Sequence, residues 1–145
     1  MTGMNDVQRL YEEYILQVRR LEEKRKPGDG LLGLGKGPAD DPCHDSFAGE
    51  LAGLLDQIAG EGLPSAQIQA ILTYIYRIPL ENRETQTAYW MLMAVHGLTL
   101  GLLGQLTPSQ AQTLWEGYKA DYPRWERLPV QKQVLSTLNT LRKQR

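Results

Sequence analysis

The sequence has 145 residues, of which 41% are hydrophobic and 23% charged, a balance typical of a chain that buries a core and not of a disordered segment. Sixteen Lys and Arg against 17 Asp and Glu give a formal net charge of −1, which excludes a general electrostatic attraction to nucleic acids or anionic membranes. The single cysteine excludes an internal disulfide. Together with an N-terminal segment that lacks the apolar core of a signal peptide, it predicts a cytoplasmic protein.

The first predicted element is an amphipathic helix from Asn5 to about Lys26. Its apolar residues recur at steps of three and four, as one buried helix face requires: Val7, Leu10, Tyr11, Tyr14, Val18 and Leu21. Acidic residues come first and basic residues last, in agreement with the helix dipole. Pro27 and Gly28 end the helix. This heptad-like stripe suits pairing with another helix.

A glycine-rich connection follows over residues 27–41. It contains Gly30-Leu-Leu-Gly-Leu-Gly-Lys36, which has the glycine and lysine spacing of a phosphate-binding loop. The next residue is Gly37 where that motif needs Ser or Thr, and a helix precedes the segment where the motif needs a strand. Because three leucines are more than a free linker carries, we predict a loop packed on the domain and no cofactor site.

Two helices are predicted between this loop and the middle of the chain. Asp41 followed by Pro42 is a start signal, because aspartate caps a helix and proline suits its first turn. Apolar residues then continue at helical spacing until Gly60. A further helix is predicted over 65–77 from the helical spacing of Ile68, Ile71, Leu72 and Ile75. Pro79 ends it because the residue before a proline avoids helical geometry.

The longest apolar run, AYWMLMAVHGLTLGLLGQL, covers residues 88–106 and is apolar on all sides, as in a buried helix or a membrane span. Polar residues interrupt it, and its flanks lack the asymmetric Lys and Arg clusters that orient membrane helices. Gly97 and Gly101 have a spacing that allows close helix packing. We therefore predict a buried central helix over 88–104 with a kink near Gly97, and no membrane span.

The last third of the chain predicts two more helices. Thr107 followed by Pro108 and Gln110 combines a capping residue, a first-turn proline and the glutamine of a capping box. The final helix is predicted from about Val130 to Lys143. Since no segment alternates as a strand does, we predict an all-α fold, a single domain over 1–145 in which about six helices form a bundle or array.

Three residues are candidates for chemistry: Cys43, His44 and His96. Thiolate and imidazole are good ligands for transition metals, and a cysteine in the first turn of a helix has a lowered thiol pKa. One hypothesis is therefore a metal site of the three residues, and another is a Cys43–His96 nucleophile pair. The alternative is structural, with Cys43 and His44 in a capped first turn and His96 as a core histidine.

A histidine in an apolar run needs hydrogen-bond partners. Candidate partners are aromatic and charged residues near the link after Arg77. We predict a pocket for a small ligand with a polar rim, formed by Arg77, Tyr89, Trp90 and His96.

Basic clusters close the first and last predicted helices, and Trp125 lies between Arg124 and Arg127, which suits stacking on a nucleic-acid base. Cations at helix C-termini are also favoured by the helix dipole. The main functional prediction is a cytoplasmic helical module that binds another protein or a second copy of itself, without catalysis or a cofactor. The alternatives are a metal- or thiol-dependent activity at Cys43, His44 and His96, and weak nucleic-acid binding.

Overall fold

The computed structural model describes residues 3–23 and 42–144. The side chains at 22, 23, 42–45, 86, 87 and 126 are not described. The predicted packed loop over 27–41 lies outside these residues, as do the side chains of Cys43 and His44.

The described residues form helices and connecting turns, with no strand among them, so the all-α prediction is confirmed. The α-helices are α1 (Met4–Glu23), α2 (Pro42–Gly60), α3 (Ser65–Arg77), α4 (Gln86–Ala94), α5 (Leu100–Leu103), α6 (Pro108–Asp121) and α7 (Pro129–Arg142). Three 3₁₀ segments join them: Ile78–Asn82, Val95–Thr99 and Arg124–Glu126. Six of the α-helices have nine residues or more, which agrees with the predicted number.

Local signals placed several helix ends correctly. The bounds of α3 are those predicted, and α2 begins at Pro42 and ends at Gly60. At the start of α6, the Thr107 side chain accepts a hydrogen bond from the amide of Gln110, whose side chain accepts one from the Thr107 amide in return. This reciprocal pair satisfies two amides that a helix N-terminus otherwise leaves unpaired.

The helices pack around one hydrophobic core cluster. Helix α1 lies against α2, where Phe47 stacks on Tyr14 with ring centroids 4.2 Å apart and meets the Tyr11 ring edge-on at 5.0 Å. Helices α6 and α7 form the other large contact. At its edge, the Lys119 ammonium lies 3.9 Å and the Arg142 guanidinium 3.7 Å from the centroid of the Trp115 ring, so cation–π contacts add to apolar burial.

The apolar run predicted as one helix over 88–104 is divided into α4, the 3₁₀ segment Val95–Thr99 and α5, with the break beside Gly97. The 3₁₀ segment contacts α2, α3 and α7, which places it at the centre of the packing. The run is not enclosed on every side, since Trp90 is 40% and Leu98 38% exposed. None of the helices in the described part of the chain is both long and apolar enough to cross a membrane.

The two glycines of this run differ in their surroundings and provide a matched test. A Cβ at Gly101 would meet nothing within 4 Å, so Gly101→Ala should raise the free energy of unfolding by about 0.4–1 kcal/mol, because alanine restricts the unfolded chain. A Cβ at Gly97 would come within 3.3 Å of Val130 Cγ1, so Gly97→Ala should give a smaller gain or a loss. Urea unfolding measures both. Equal stabilisation by the two substitutions would contradict the close approach of Gly97 to α7.

Candidate functional site

His96, the residue that both chemical hypotheses share, is completely buried and hydrogen-bonded at both ring nitrogens. Its Nε2 lies 3.2 Å from the carbonyl oxygen of Ile75, and its Nδ1 lies 2.7 Å from the Tyr118 hydroxyl. A carbonyl oxygen only accepts, so Nε2 carries the proton and donates it to Ile75. Nδ1 then accepts from Tyr118, which makes the ring a neutral bridge between α3 and α6.

The carbonyl of Ile75 needs this bridge because of a proline. In an α-helix, a carbonyl accepts from the amide four residues later, which for Ile75 is residue 79. Residue 79 is Pro79, which has no N–H group and is itself buried. An unpaired buried carbonyl is costly, and the imidazole N–H of His96 supplies the missing donor.

The next carbonyl of α3 also receives a donor from a distant side chain. The Tyr122 hydroxyl donates to the Tyr76 carbonyl oxygen at 2.5 Å. The Thr99 hydroxyl donates to the His96 carbonyl at 2.7 Å, so the Tyr76 hydroxyl, 2.6 Å from Thr99 Oγ1, is the donor of that pair. Hydrogen bonds from two other parts of the chain, the 3₁₀ segment Val95–Thr99 and Tyr122 after α6, therefore meet the C-terminal end of α3.

Burial sets the protonation states of this cluster. It lowers the pKa of His96 to about 3, and the hydrogen bond to Ile75 only partly opposes this. Burial likewise raises the pKa of Tyr76, Tyr118 and Tyr122 well above the usual tyrosine range. The nearby Gln131 side chain partly opposes the increase in the pKa of Tyr118. Its Nε2 has no hydrogen-bond partner among the described residues. All four rings are therefore neutral near pH 7.

This arrangement determines what His96 can do chemically. With both nitrogens engaged inside the core, neither is available to a metal ion or to a thiol, so a site with Cys43 and His44 requires His96 to leave its partners. The side chains of Cys43 and His44 lie outside the described residues. Within the described ranges, no group of three or more His, Cys, Asp or Glu side chains converges as a metal site does.

The residues predicted to form a ligand pocket lie in different surroundings. The His96 ring is enclosed by Tyr76, Tyr118 and Tyr122, with ring centroids 5.0–5.8 Å away, and no ligand reaches it in this arrangement. Arg77 is exposed and pairs with Asp121, Nε to Oδ2, at 3.5 Å.

The other two predicted pocket residues lie on α4, where Tyr89 is half-buried and Trp90 is 40% exposed. Tyr89 acts electrostatically on Tyr122, whose pKa it helps to raise.

A surface feature that the sequence did not indicate lies directly above this cluster. We name it the α3 face; its residues are Thr73, Tyr74, Arg77, Ile78 and Glu81. These residues line a depression of about 390 Å³, which shares Thr73 and Arg77 with one of about 220 Å³ and the other three residues with one of about 500 Å³. The largest also includes Glu12, Ile15, Leu16 and Arg19 of α1, and the smallest reaches Gly117 and Asp121 of α6. Helix α3 thus runs between two grooves.

Polar contacts hold this face in place. Arg19 Nη2 donates to Asn82 Oδ1 at 3.0 Å, and Asn82 Nδ2 donates to the Ile78 carbonyl at 3.0 Å, which ties α1 to the 3₁₀ segment after α3. Burial, reinforced by the Glu12 and Glu81 carboxylates, raises the pKa of Tyr74 to about 12. The Tyr74 hydroxyl therefore remains protonated at the edge of the largest groove.

The residues of the nucleic-acid alternative are partly engaged elsewhere. Trp125 is 84% exposed, as base stacking requires, but Arg127 Nε donates to the Tyr122 carbonyl at 2.8 Å. At the C-terminal end of α7, Arg142 is held by Asn139 and Gln112. Two of the predicted cations therefore stabilise the fold.

Comparison with known protein families, with curated proteins and with solved structures finds no match to this chain.

The lowered pKa of His96 predicts acid sensitivity. In the unfolded chain a histidine binds a proton below about pH 6.5, whereas the folded protein resists protonation down to about pH 3. The unfolded state therefore binds more protons in this window, and stability falls as the pH falls through it. We expect the free energy of unfolding to drop by about 2 kcal/mol more between pH 7 and pH 5 in the wild type than in His96→Gln.

Urea unfolding at both pH values measures this difference, and His44→Gln is the control because it removes the other histidine. If His96→Gln does not fold, an NMR titration of the wild-type His96 ring decides, since it should show no imidazolium signal at pH 5. A pH dependence that disappears with His44 instead of His96 would contradict the assignment.

Two buried tyrosines provide a second test. Tyr118→Phe removes the donor to His96 Nδ1 and should cost about 1–3 kcal/mol, because a buried acceptor loses its partner. Tyr11 is equally buried, but its hydroxyl has no hydrogen-bond partner among the described residues, so Tyr11→Phe should be neutral or stabilising. Thermal and urea unfolding measure both. A larger loss for Tyr11→Phe would show that the two hydroxyls are assigned the wrong roles.

Proposed function

We propose that this protein is a non-enzymatic interaction module that binds another protein, including a second copy of itself, through the α3 face and the grooves beside it. The observation that carries the proposal is the continuity of the three depressions along α3. The middle one shares Thr73 and Arg77 with the smallest, and Tyr74, Ile78 and Glu81 with the largest. A row of adjoining shallow grooves suits the side chains of a protein surface better than a single small molecule, which binds in one deep pocket.

The chemistry of the face supports a protein partner. Tyr74 and Ile78 are half-buried, so their exposed parts offer aromatic and aliphatic contact. Carboxylates of Glu12 and Glu81 and the cation of Arg19 border the same groove, in the manner of a charged rim around an apolar centre.

The interior supports the absence of catalysis. His96 is enclosed and uses both ring nitrogens within the protein, so it positions helices and does not exchange protons with a substrate. We also propose that the protein acts in the cytoplasm, because a single cysteine suits a reducing compartment.

Site-specific photo-crosslinking tests the proposal. With p-benzoylphenylalanine in place of Tyr74, we expect a discrete covalent product in the native host, to be identified by mass spectrometry. The same probe in place of Trp125, an exposed aromatic outside the α3 face, should give no such product.

A second substitution shows whether the product depends on the face. Ile78→Asp should abolish crosslinking from position 74, because it places a charge in the shared groove wall. Leu98→Asp, a matched change at a 38% exposed leucine, should leave it intact. The proposal fails if position 125 yields the product and position 74 does not, or if Ile78→Asp has no effect.

A further inference from the structure

The outer side of α1 carries an ordered pattern of charge around one exposed leucine. Leu16 is 49% exposed, although it lies in the middle of a 20-residue helix whose opposite side is packed in the core. Two acids, Glu12 and Glu13, precede it by four and three residues, and two bases, Arg19 and Arg20, follow it by three and four. All four charged side chains are exposed.

Helical geometry places these charges symmetrically. With about 100° of rotation per residue, Glu12 and Arg19 fall on one side of Leu16, and Glu13 and Arg20 fall on the other. Each side therefore has an acid towards the N-terminus and a base towards the C-terminus. This pattern is complementary to itself when it is reversed end to end.

We propose that α1 pairs with α1 of a second copy of this chain, antiparallel, about a twofold axis at Leu16. The proposal rests on the proposed function and names its partner. In this arrangement Glu12 of each copy lies opposite Arg19 of the other, and Glu13 opposite Arg20, while the two Leu16 side chains meet at the axis. A twofold interface is isologous, so one surface must complement itself, and this stripe does.

The charge pattern also determines the direction of pairing. In a parallel pair in register, Glu12 and Glu13 would lie opposite the same acids, and the arginines opposite arginines, which is repulsive. In the antiparallel pair each of these four charges meets its opposite. Such pairs contribute mainly specificity and orientation, so the dimer should weaken as the salt concentration rises.

The stripe is continuous with the largest groove of the α3 face. Glu12, Leu16 and Arg19 belong to both, so a helix packed along α1 also covers the entrance of that groove. The hydrogen bond from Arg19 to Asn82 holds this guanidinium in place before a partner arrives, which lowers the entropy lost on association.

Charge reversal tests the pairing directly. The variant Glu12→Lys with Glu13→Lys has an all-positive stripe, and Arg19→Glu with Arg20→Glu has an all-negative one. Each should weaken its own dimer by at least about tenfold at low salt, because like charges face each other. An equimolar mixture should form a heterodimer as tight as the wild-type dimer or tighter. Light scattering over a concentration series, and native mass spectrometry of the mixture, measure these outcomes.

Matched reversals elsewhere control for net charge. Glu50→Lys with Asp56→Lys reverses two exposed acids on α2, and Arg124→Glu with Lys132→Glu reverses two exposed bases near α7. These variants should dimerise as the wild type does. Leu16→Asp should abolish dimerisation without loss of helix content by circular dichroism, since Leu16 faces away from the core.

Cysteine crosslinking tests the direction of the helices. In a Cys43→Ser background, a mixture of Glu13→Cys and Arg20→Cys chains should form the mixed disulfide faster than either chain forms its own. Faster homotypic disulfides at these positions would indicate a parallel pair and overturn the proposal.

A wild-type protein that stays monomeric at low salt and high concentration, or a variant mixture that does not associate, also overturns the self-pairing. The proposed function fails separately. If position 74 crosslinks to a different protein while the chain is monomeric, the interaction face stands and only the identity of the partner is wrong.

Discussion

The arrangement of the interior depends on one constraint, the need to satisfy the carbonyl groups at the C-terminal end of α3. Pro79 deprives the Ile75 carbonyl of its helical donor, and the Tyr76 carbonyl also bonds outside the helix. The replacement donors come from His96 in the 3₁₀ segment Val95–Thr99 and from Tyr122, the residue that follows α6. A buried carbonyl without a partner is costly. The helix packing that brings these donors to the two carbonyls is therefore the same packing that buries the apolar side chains around them.

Signals within a few residues allowed much of the fold to be predicted from the sequence. The spacing of Ile68, Ile71, Leu72 and Ile75 gave α3, all four residues are buried, and Thr107 with Gln110 marked the start of α6. The partners of His96 were not predictable in this way, since Ile75 and Tyr118 are 21 and 22 residues distant in sequence. In the sequence, Pro79 indicates the end of a helix. A proline four residues after a buried helical position also indicates a carbonyl that lacks its helical donor.

The candidate interaction surface was also harder to predict from the sequence, because it too depends on contacts between residues that are distant in sequence. The outward residues of α1 are charged, as on any solvated helix, and periodicity alone does not distinguish a free face from a binding one. The grooves exist because α3 runs between α1 and α6, and that order of packing follows from contacts distant in sequence. The Tyr74 side chain connects the hydrophobic core to the surface groove. Its ring packs edge-on against that of Tyr11, with centroids 5.6 Å apart, and it also lines the groove.

The 3₁₀ segment Val95–Thr99 has a geometric consequence for the polar cluster. Residues that are three positions apart in a 3₁₀ helix are separated by one full turn, so the side chains of His96 and Thr99 project on the same side. The Thr99 hydroxyl donates a hydrogen bond back to the His96 carbonyl. An α-helix advances about 20° less per residue, so an unbroken helix would swing Thr99 about 60° out of line with the imidazole. The tighter winding of the 3₁₀ segment therefore directs the side chains of His96 and Thr99 towards the same neighbouring helix, within the most apolar stretch of the chain.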